Sequence, residues 1–441
     1  MVNNMKNDNA RMQFYYVILL LFIGLTACEQ KTDSAIAKEK DSLTLWAHAG
    51  QAAERQILNQ QITTYNQKHK TKIKANFIPE RTYNAQVQAA AVAGDLPCVL
   101  ELDGPYLFNY IWQGHLQAID ALVSQEILDD LLPSILEQGR YNDKLFGVGV
   151  FDSGLGFFTR SSVLKKHGIR IPDGPADAWD DQEFENILKT LSTQDKDGAV
   201  LDLKLNYPSE WFTYAFSPAV RSAGGDLIDR TSYQSAKNFL NGAPAIELMS
   251  KFQNWFRQGY IDSNVDDNAF VSGKAVLSWA GHWEFGRYSK TFGNDLIVVP
   301  LPDFGHGTKT GQGSWLWSMT RQCHQTDAVK SFLEFILSPE QVLVMANANG
   351  AVPARKQAIA KSTHYQTNGA LNLFVQQLTY GYAIPRPKTP AYPVITTAFS
   401  QAFQDIRNGA EVKQTLDKAV ISIDNDIKQN KGYKTTVSTN K

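Results

Sequence analysis

The sequence lacks the features that mark most enzymes, membrane-spanning proteins and nucleic-acid-binding proteins. It contains 3 cysteines in 441 residues, which excludes a disulfide-rich scaffold. It contains no HExxH, no GxSxG and no phosphate-binding glycine loop. The apolar run at residues 14–25 is shorter than the ~20 residues that a membrane-spanning helix needs. A net charge of −1 argues against nucleic acid as a partner.

The N-terminal segment has the pattern of an export signal that ends in a cysteine. Lys6 and Arg11 precede the apolar run, and small residues lead from the run to Cys28. Residues 25–28 resemble the bacterial lipobox, in which a signal peptidase cuts before a cysteine that carries acyl chains. We therefore expect a signal peptide at 1–27 and a lipid anchor at Cys28 on a bacterial membrane. The protein would then be extracytoplasmic, either periplasmic or at the cell surface.

Size and composition predict two lobes after a short linker. Residues 28–42 are polar and charged, which is typical of a flexible stalk. Residues 43–428 exceed the usual size of a single hydrophobic core. Residues 429–441 are polar and are expected to form a frayed tail.

Apolar periodicity predicts an α/β fold in which short strands alternate with helices around a mainly parallel sheet. A first βαβ unit combines a strand at 43–47, a helix at 53–68 and a strand at 72–78. A second unit follows, with a helix at 83–93, a strand at 98–102 and a helix at 106–113. Further helices are predicted at 182–191, 235–241, 243–258, 325–337, 339–346, 395–407 and 412–428.

Two cysteines remain once Cys28 is assigned to the anchor. Cys98 and Cys323 are able to pair in an oxidising compartment, but two residues form no spacing pattern. A disulfide and two buried free thiols therefore both remain open.

Several short segments, taken in order, resemble the solute-binding proteins of bacterial ABC importers, in particular the carbohydrate-binding family that includes maltose-binding proteins. The resemblance covers residues 43–428. Cys98 departs from it, since the family usually has aspartate there, and so do residues 158–160, where Tyr-Asn-Lys is common. The segments that carry the resemblance are 93–97, 147–169, 223–226, 270–288, 300–302 and 350–355.

The resemblance implies a two-lobed periplasmic-binding-protein-like fold with the ligand in a cleft that closes about a hinge. We expect the chain to cross between lobes near Gly149 and Gly307 and to return near Val352. The N-terminal lobe would then contain 43–149 and 308–352, and the C-terminal lobe 150–307 and 353–428. The implied protein is a monomeric carrier without enzyme activity, cofactor or metal, and it delivers a carbohydrate to membrane permease subunits.

Aromatic residues near the ends of strands are the main candidates for ligand contact, because a sugar offers apolar faces for stacking and hydroxyls for hydrogen bonds. In the family, a glycine at the end of a strand, one further residue and then a tryptophan place a ring against the sugar, and Trp283, two residues after Gly281, matches this position. Trp279, on the strand itself, is expected in the core. Residues 206–214 form a second cluster. Its resemblance to a segment of maltose-binding proteins implies Trp211 as a stacking ring and Glu210 as a carboxylate that contacts the ligand.

The remaining candidates are single residues in loops and at strand ends. Trp315 and Trp317 share one face of a strand, so we expect both in the site or both in the core. The further residues proposed for ligand contact are Ser314, Trp315, Trp46, Asp103, Tyr106, Arg355 and Tyr392.

Three alternatives remain open. Glu210, Asp103 and Glu284 include pairs that resemble glycosidase carboxylates, and His282 with Glu284 resembles part of a metal site, but neither pattern is specific. A binding protein that signals to a membrane receptor would need the same two lobes. Among ligands, sugar phosphates and polyamines compete with sugars. The few charges among the candidates favour a neutral carbohydrate, with a di- or oligosaccharide at least as suitable as a monosaccharide.

Overall fold

The computed structural model describes residues 42–193, 198–207 and 210–434. The predicted signal peptide, Cys28 and nearly all of the predicted stalk lie outside the described residues. Within the part that is described, no helix combines the length and apolar character needed to cross a bilayer.

The described chain alternates strands and helices as the apolar periodicity predicts. The strands are β1 Ser42–His48, β2 Lys72–Ile78, β3 Val99–Asp103, β4 Leu116–Gln117, β5 Arg140–Tyr141, β6 Lys144–Leu145, β7 Val148–Gly149, β8 Phe151–Asp152, β9 Leu155–Arg160, β10 Leu201–Asp202, β11 Leu277–Gly281, β12 Leu296–Val299, β13 Thr310–Gln312, β14 Trp315–Thr320, β15 Val352–Pro353 and β16 Ala383–Pro385.

The helices agree with most of the predicted positions. They are α1 Ala52–Lys68, α2 Glu80–Ala93, α3 Leu107–Trp112, α4 Gln125–Asp130, α5 Pro133–Gly139, α6 Ser161–Lys166, α7 Asp181–Ser192, α8 Glu210–Ser222, α9 Ala243–Arg257, α10 Phe285–Phe292, α11 Thr326–Ile336, α12 Pro339–Asn349, α13 Lys356–Ile359, α14 Asn372–Thr379, α15 Tyr392–Arg407 and α16 Val412–Gln429.

The first lobe is built on a sheet with the strand order β2-β1-β3-β14-β4, and β7 also pairs with β14. The first three strands are parallel, as the two βαβ units require, whereas β14 is antiparallel to β3. Leu43, Leu45 and Val99 are fully buried under the helices on one face. Tyr83 and Leu100 belong to a second cluster of buried residues in the same lobe.

The second lobe contains the sheet β10-β11-β9-β12. Here β9 runs antiparallel to both β11 and β12, whereas β10 and β11 pair in parallel. Among the described strands, one strand of each sheet therefore runs against the others, β14 in the first lobe and β9 in the second. Both sheets are mainly parallel, as expected. Trp279 on β11 is fully buried among the large aromatic residues of this core, as expected.

Three connecting segments run between the sheets. The chain leaves β7 and reaches β9 through β8, and β8 pairs with β15 on the later return. The third segment contains β13, which pairs with β16 and packs on α8. The packing is close, because a Cβ at Gly311 would lie 2.7 Å from the Tyr214 carbonyl oxygen. The passage back to the first sheet therefore follows β13, a few residues later than the expected crossing near Gly307. Ala358 still packs in the first core, so that lobe also extends beyond the expected boundary at Val352.

The segment 235–241, predicted as a helix, forms turns instead. Asp424 of α16 accepts hydrogen bonds from the Ser235 hydroxyl at 2.8 Å and the Ala236 backbone N–H at 2.7 Å. Asn238 has a φ of 68°, a left-handed conformation that interrupts a right-handed helix. Tertiary bonds to α16 therefore replace the helical bonds that the local sequence favours.

Cys98 and Cys323 form a disulfide, one of the two open alternatives. Their Cα atoms are 4.5 Å apart, and 225 residues separate them along the chain. Cys98 precedes β3 and Cys323 follows β14, and these two strands pair directly. The bond therefore joins distant parts of the sequence within the first lobe.

Candidate functional site: a cleft between the two lobes

A cavity of about 290 Å³ lies where strand ends of the two lobes face each other. The first lobe contributes the ends of β1 and β3 and the start of β14, which lie at one edge of its sheet. The second lobe contributes His282 and Trp283, directly after β11. A cleft outside the carboxyl ends of strands is the usual ligand position in α/β proteins.

Aromatic side chains form the second-lobe wall of the cleft. Trp283 packs back over its own strand end, where a Cβ at Gly281 would lie 2.2 Å from its ring, so glycine is required there. The Trp283 indole N–H donates to the Tyr207 hydroxyl at 3.0 Å, and its ring meets Trp211 edge to face at 5.9 Å. Tyr207 in turn donates to Glu284 Oε1 at 2.5 Å. These bonds fix the orientation of the Trp283 ring, which stays partly exposed.

The first-lobe wall is a stacked pair, Trp315 and His48. Their ring centroids are 3.8 Å apart and the planes differ by 4°. His48 Nδ1 lies 2.8 Å from Glu101 Oε2, and its Nε2 lies 3.7 Å from Glu54 Oε1. Burial alone would favour the neutral imidazole, but the charges of Glu101 and Glu54 outweigh it and raise the pKa of His48 to about 9. His48 is therefore a cation at neutral pH.

A buried arginine joins the two lobes at the cleft. The Arg386 guanidinium donates to both oxygens of Asp103 in the first lobe, at 2.5 and 2.8 Å. It also donates to Glu210 of the second lobe at 2.6 Å and lies over the Tyr214 ring at 5.0 Å. Charge-assisted bonds of this bidentate type are strong and strongly oriented.

Glu210 is the most completely bonded carboxylate of the cleft. Besides Arg386, it accepts hydrogen bonds from the hydroxyls of Tyr106 at 3.2 Å, Thr396 at 2.7 Å and Tyr392. Burial raises the pKa of Glu210, and the Arg386 charge opposes this effect.

Comparison with known proteins identifies the family. Residues 60–372 match the family described as bacterial extracellular solute-binding protein. The chain belongs to this family. The assignment made from short segments of the sequence is confirmed at this level.

Relatives and solved structures extend the match over most of this solute-binding protein. A "probable sugar-binding periplasmic protein" of Rhizobium meliloti is 22% identical over 337 residues, covering 71% of this chain and 78% of the relative. An "uncharacterized lipoprotein" of Streptomyces antibioticus is 20% identical over 371 residues, covering 79% and 77%. An ABC transporter solute-binding protein of Thermotoga lettingae, bound with α-D-tagatose, is similar with a TM-score of 0.74 at 17% identity, over 87% of this chain and 99% of that one.

The structure brings the larger part of the sequence-predicted candidates together at the cleft. Those that line the cavity are Trp283, Trp211, Glu210, Asp103, Trp315 and Ser314. Trp211 is nearly buried and donates its indole N–H to the Leu203 carbonyl at 2.9 Å, so it supports Trp283 more than it faces the cavity. The Ser314 hydroxyl donates to the carbonyls of Phe151 and Trp315 and is therefore already engaged.

The other candidates lie outside the cavity lining. Tyr106 and Tyr392 stand behind it and donate hydrogen bonds to Glu210, and the Tyr392 ring also lies under the Arg386 guanidinium. Trp46 packs against the second apolar cluster of the first lobe. Arg355, expected as a ligand clamp, is 2% exposed; its Nε donates to Asp130 at 2.7 Å and its Nη1 to the Leu337 carbonyl at 3.0 Å. It fixes the return segment to α4 and is not a cleft residue.

Trp315 and Trp317 do share one face of β14, but they do not share a role. Trp315 opposes Asp103 at the strand end and lines the cleft, whereas Trp317 is 1% exposed and packs against Phe332. The expectation that both belong to the site or both to the core was wrong. A step of two residues along the strand keeps the side chain on the same face but moves it from the cleft into the interior of the lobe.

Sequence reasoning did not select several residues that line the cleft. His48 was recognisable as a polar residue at the end of the first strand, and Tyr207 and Tyr214 lie in the cluster that proposed Trp211. Arg386 follows a short strand with no local pattern, so no sequence signal marks it. Among the residues missed in this way are His48, Tyr207, Tyr214, Arg386, Glu54, Glu80 and Asn349.

The arrangement suits binding better than catalysis. Asp103 and Glu210 both bond to Arg386, and Glu284 bonds to Tyr207 and Arg287, so these carboxylates already have partners. Burial lowers the pKa of His282 to about 4, and its Nδ1 lies 2.9 Å from the Asn349 carbonyl. Among the described residues, no group of three or more possible ligands is placed to hold a metal ion.

The His48 pair predicts a specific pH dependence of stability. Because the pKa of His48 is about 9 in the folded protein against 6.5 ordinarily, its stabilising effect is complete below pH 6.5 and is lost as the pH rises through 9. We expect the free energy of unfolding of His48→Gln to fall below wild type at pH 6. This deficit should shrink by on the order of 3 kcal/mol by pH 9.

Urea unfolding followed by tryptophan fluorescence at pH 6, 7.5 and 9 measures this difference. Exposed His324, changed to Gln, is the control and should differ from wild type by a constant amount. A His48→Gln deficit that stays constant over this pH range would contradict the assigned ion pair.

Proposed function

We propose that this protein is the extracytoplasmic substrate-binding component of an ABC importer and that it captures a carbohydrate in the cleft between its lobes. The observation that carries the proposal is the pair of aromatic walls, Trp283 in the second lobe and Trp315 in the first, with hydrogen-bonding groups between them. Rings stack on the apolar faces of a sugar, and carboxylate and amide groups bond its hydroxyls. The sugar-binding relative and the tagatose-bound structure support the same ligand class.

The cavity size favours a short saccharide. At about 290 Å³ it falls near the lower end of small-molecule sites, which span roughly 300–1,000 Å³. One or two sugar rings fit this space better than a long chain.

Capture by hinge closure follows from bonds that cross the cleft. Besides Arg386 with Asp103, the Gln51 side chain donates to the Trp283 carbonyl at 2.9 Å, and Asn109 donates to the Pro390 carbonyl at 2.7 Å. These contacts describe a closed arrangement in which a ligand would be shielded from solvent. Opening about the connecting segments would break them and admit the sugar.

The similarity in fold to an ABC transporter solute-binding protein favours delivery to a permease over signalling to a membrane receptor. Asp103, Glu210 and Glu284, the carboxylates that resemble a glycosidase pair in the sequence, already have partners, which supports a carrier without enzyme activity. The lipobox and the lipoprotein relative support a tether at Cys28, with the folded protein acting as a monomer on a membrane surface.

Trp283→Ala tests the sugar site directly. Truncating a central aromatic anchor costs a binding site about 2 kcal/mol or more, which corresponds to roughly a thirtyfold rise in Kd. We expect that loss in calorimetry with a sugar identified by a stabilisation screen.

Trp46→Ala is the matched control, because Trp46 is a partly buried tryptophan outside the cavity lining. It should reduce the melting temperature with little change in Kd. If Trp283→Ala lowers the melting temperature and keeps near-normal affinity, Trp283 is a packing residue and the proposed site is incorrect.

Cys28→Ser tests the anchor. Wild type should fractionate with membranes, whereas the variant should be a soluble extracytoplasmic protein or an uncleaved precursor. Membrane fractionation of a processed Cys28→Ser protein would contradict lipid attachment at Cys28.

A further inference from the structure

The charged groups at the cleft include two sets, each with one cation and two carboxylates, and a further carboxylate, Glu80. His48 lies between Glu101 at 2.8 Å and Glu54 at 3.7 Å. Arg386 lies between Asp103 and Glu210. Each set therefore carries one negative charge in excess. A buried charge without a full counterion is costly, so a ligand that supplies positive charge would gain from this arrangement.

Glu210 and Glu54, one carboxylate from each set, differ in how completely hydrogen bonds from the protein satisfy them. Glu210 accepts hydrogen bonds from Arg386 and from three hydroxyls, so little acceptor capacity remains. Glu54 has its cationic partner His48 at 3.7 Å, which is longer than a hydrogen bond, and its side chain is 13% exposed in the cleft. Burial raises the pKa of Glu54, and nearby His48, the Asn349 amide and the Gln51 backbone only partly oppose this effect. Of these two, Glu54 is therefore the carboxylate with capacity left for a ligand, and Glu80, exposed at the start of α2, adds negative charge near His48.

A second group beside Glu54, the Asn349 amide, has a donor that the protein does not satisfy with a hydrogen bond of ordinary geometry. Asn349 lines the cleft, is 4% exposed, and accepts a hydrogen bond from the Ala351 backbone N–H at its Oδ1 at 2.9 Å. That bond fixes the amide orientation. The Asn349 Nδ2, a donor, faces the Glu54 carboxylate but is buried without a hydrogen bond of ordinary geometry. A buried donor left unpaired costs about 1–3 kcal/mol, which a ligand acceptor would recover.

We propose that Glu54 and Asn349, here called the Glu54 corner, recognise an amino group and an adjacent hydroxyl of the ligand, so that the bound saccharide is an amino sugar. The inference rests on the proposed function and departs from the neutral sugar expected from the sequence. Glu54 accepts from the ammonium, and Asn349 Nδ2 donates to the neighbouring hydroxyl oxygen. Trp283, whose carbonyl bonds Gln51 directly before α1, offers its ring to the same end of the ligand.

Calorimetry with matched pairs of sugars tests the inference. The probes are D-glucosamine against D-glucose, D-galactosamine against D-galactose, and the β-1,4-linked disaccharide of D-glucosamine against cellobiose. A charge-assisted hydrogen bond predicts that the amine of at least one pair binds about tenfold or more tightly than its neutral counterpart.

Glu54→Gln should abolish that preference, since it keeps the shape and an acceptor oxygen but removes the charge. Glu340→Gln is the control, because it removes the same charge from an exposed position at the start of α12, which ends at Asn349. It should retain the preference.

The outcomes separate this inference from the proposed function. If a neutral sugar binds as tightly as its amine, or if Glu54→Gln retains the preference, the inference is wrong while carbohydrate binding stands. If no sugar of either kind binds to folded wild type, both the inference and the proposed carbohydrate function are contradicted.

Discussion

The cleft depends on one interaction, the bonds of Arg386 to a carboxylate of each lobe. Asp103 ends a strand of the first sheet, Glu210 begins a helix of the second lobe, and one guanidinium bonds both. Removing one partner of such a buried pair costs on the order of 3–5 kcal/mol, because it leaves an unpaired charge. Tyr392 and Tyr106 donate hydrogen bonds to Glu210, and Tyr392 also contacts Arg386, so both tyrosines belong to the same network.

The segments that connect the two lobes are bonded to each other near the cleft. The Ser153 hydroxyl lies 2.8 Å from the Tyr214 hydroxyl and donates to the Gly313 carbonyl at 2.6 Å, so two crossings are tied to each other and to α8. In the proposed hinge closure, these connections would stay near the hinge, whereas contacts such as Gln51 with Trp283 cross the open part of the cleft. Under that proposal, a rotation about the hinge would separate the aromatic walls while each lobe keeps its own core. The disulfide Cys98–Cys323 lies within the first lobe and does not restrict this motion.

Local patterns predicted the fold well and the site in part. The βαβ units, the position of Trp283 and the burial of Trp279 follow from apolar periodicity and from a strand end followed by glycine. Residues whose role depends on distant partners were not predictable in this way. Arg355 is 225 positions from Asp130, and Arg386 is 283 positions from Asp103. Both are arginines in short loop segments, and only the tertiary structure assigns the first to packing and the second to the cleft.

The claim that the two lobes close around a sugar is tested most directly by small-angle X-ray scattering of the mature protein. Scattering is measured without ligand and at saturating concentration of a sugar whose binding calorimetry has established. The account predicts a smaller radius of gyration with sugar. It also predicts a larger ligand-free radius for Arg386→Gln than for wild type, because ligand-free protein interconverts between open and closed arrangements and the variant loses the bond that favours the closed one. Superimposable wild-type curves with and without bound sugar would contradict capture by hinge closure.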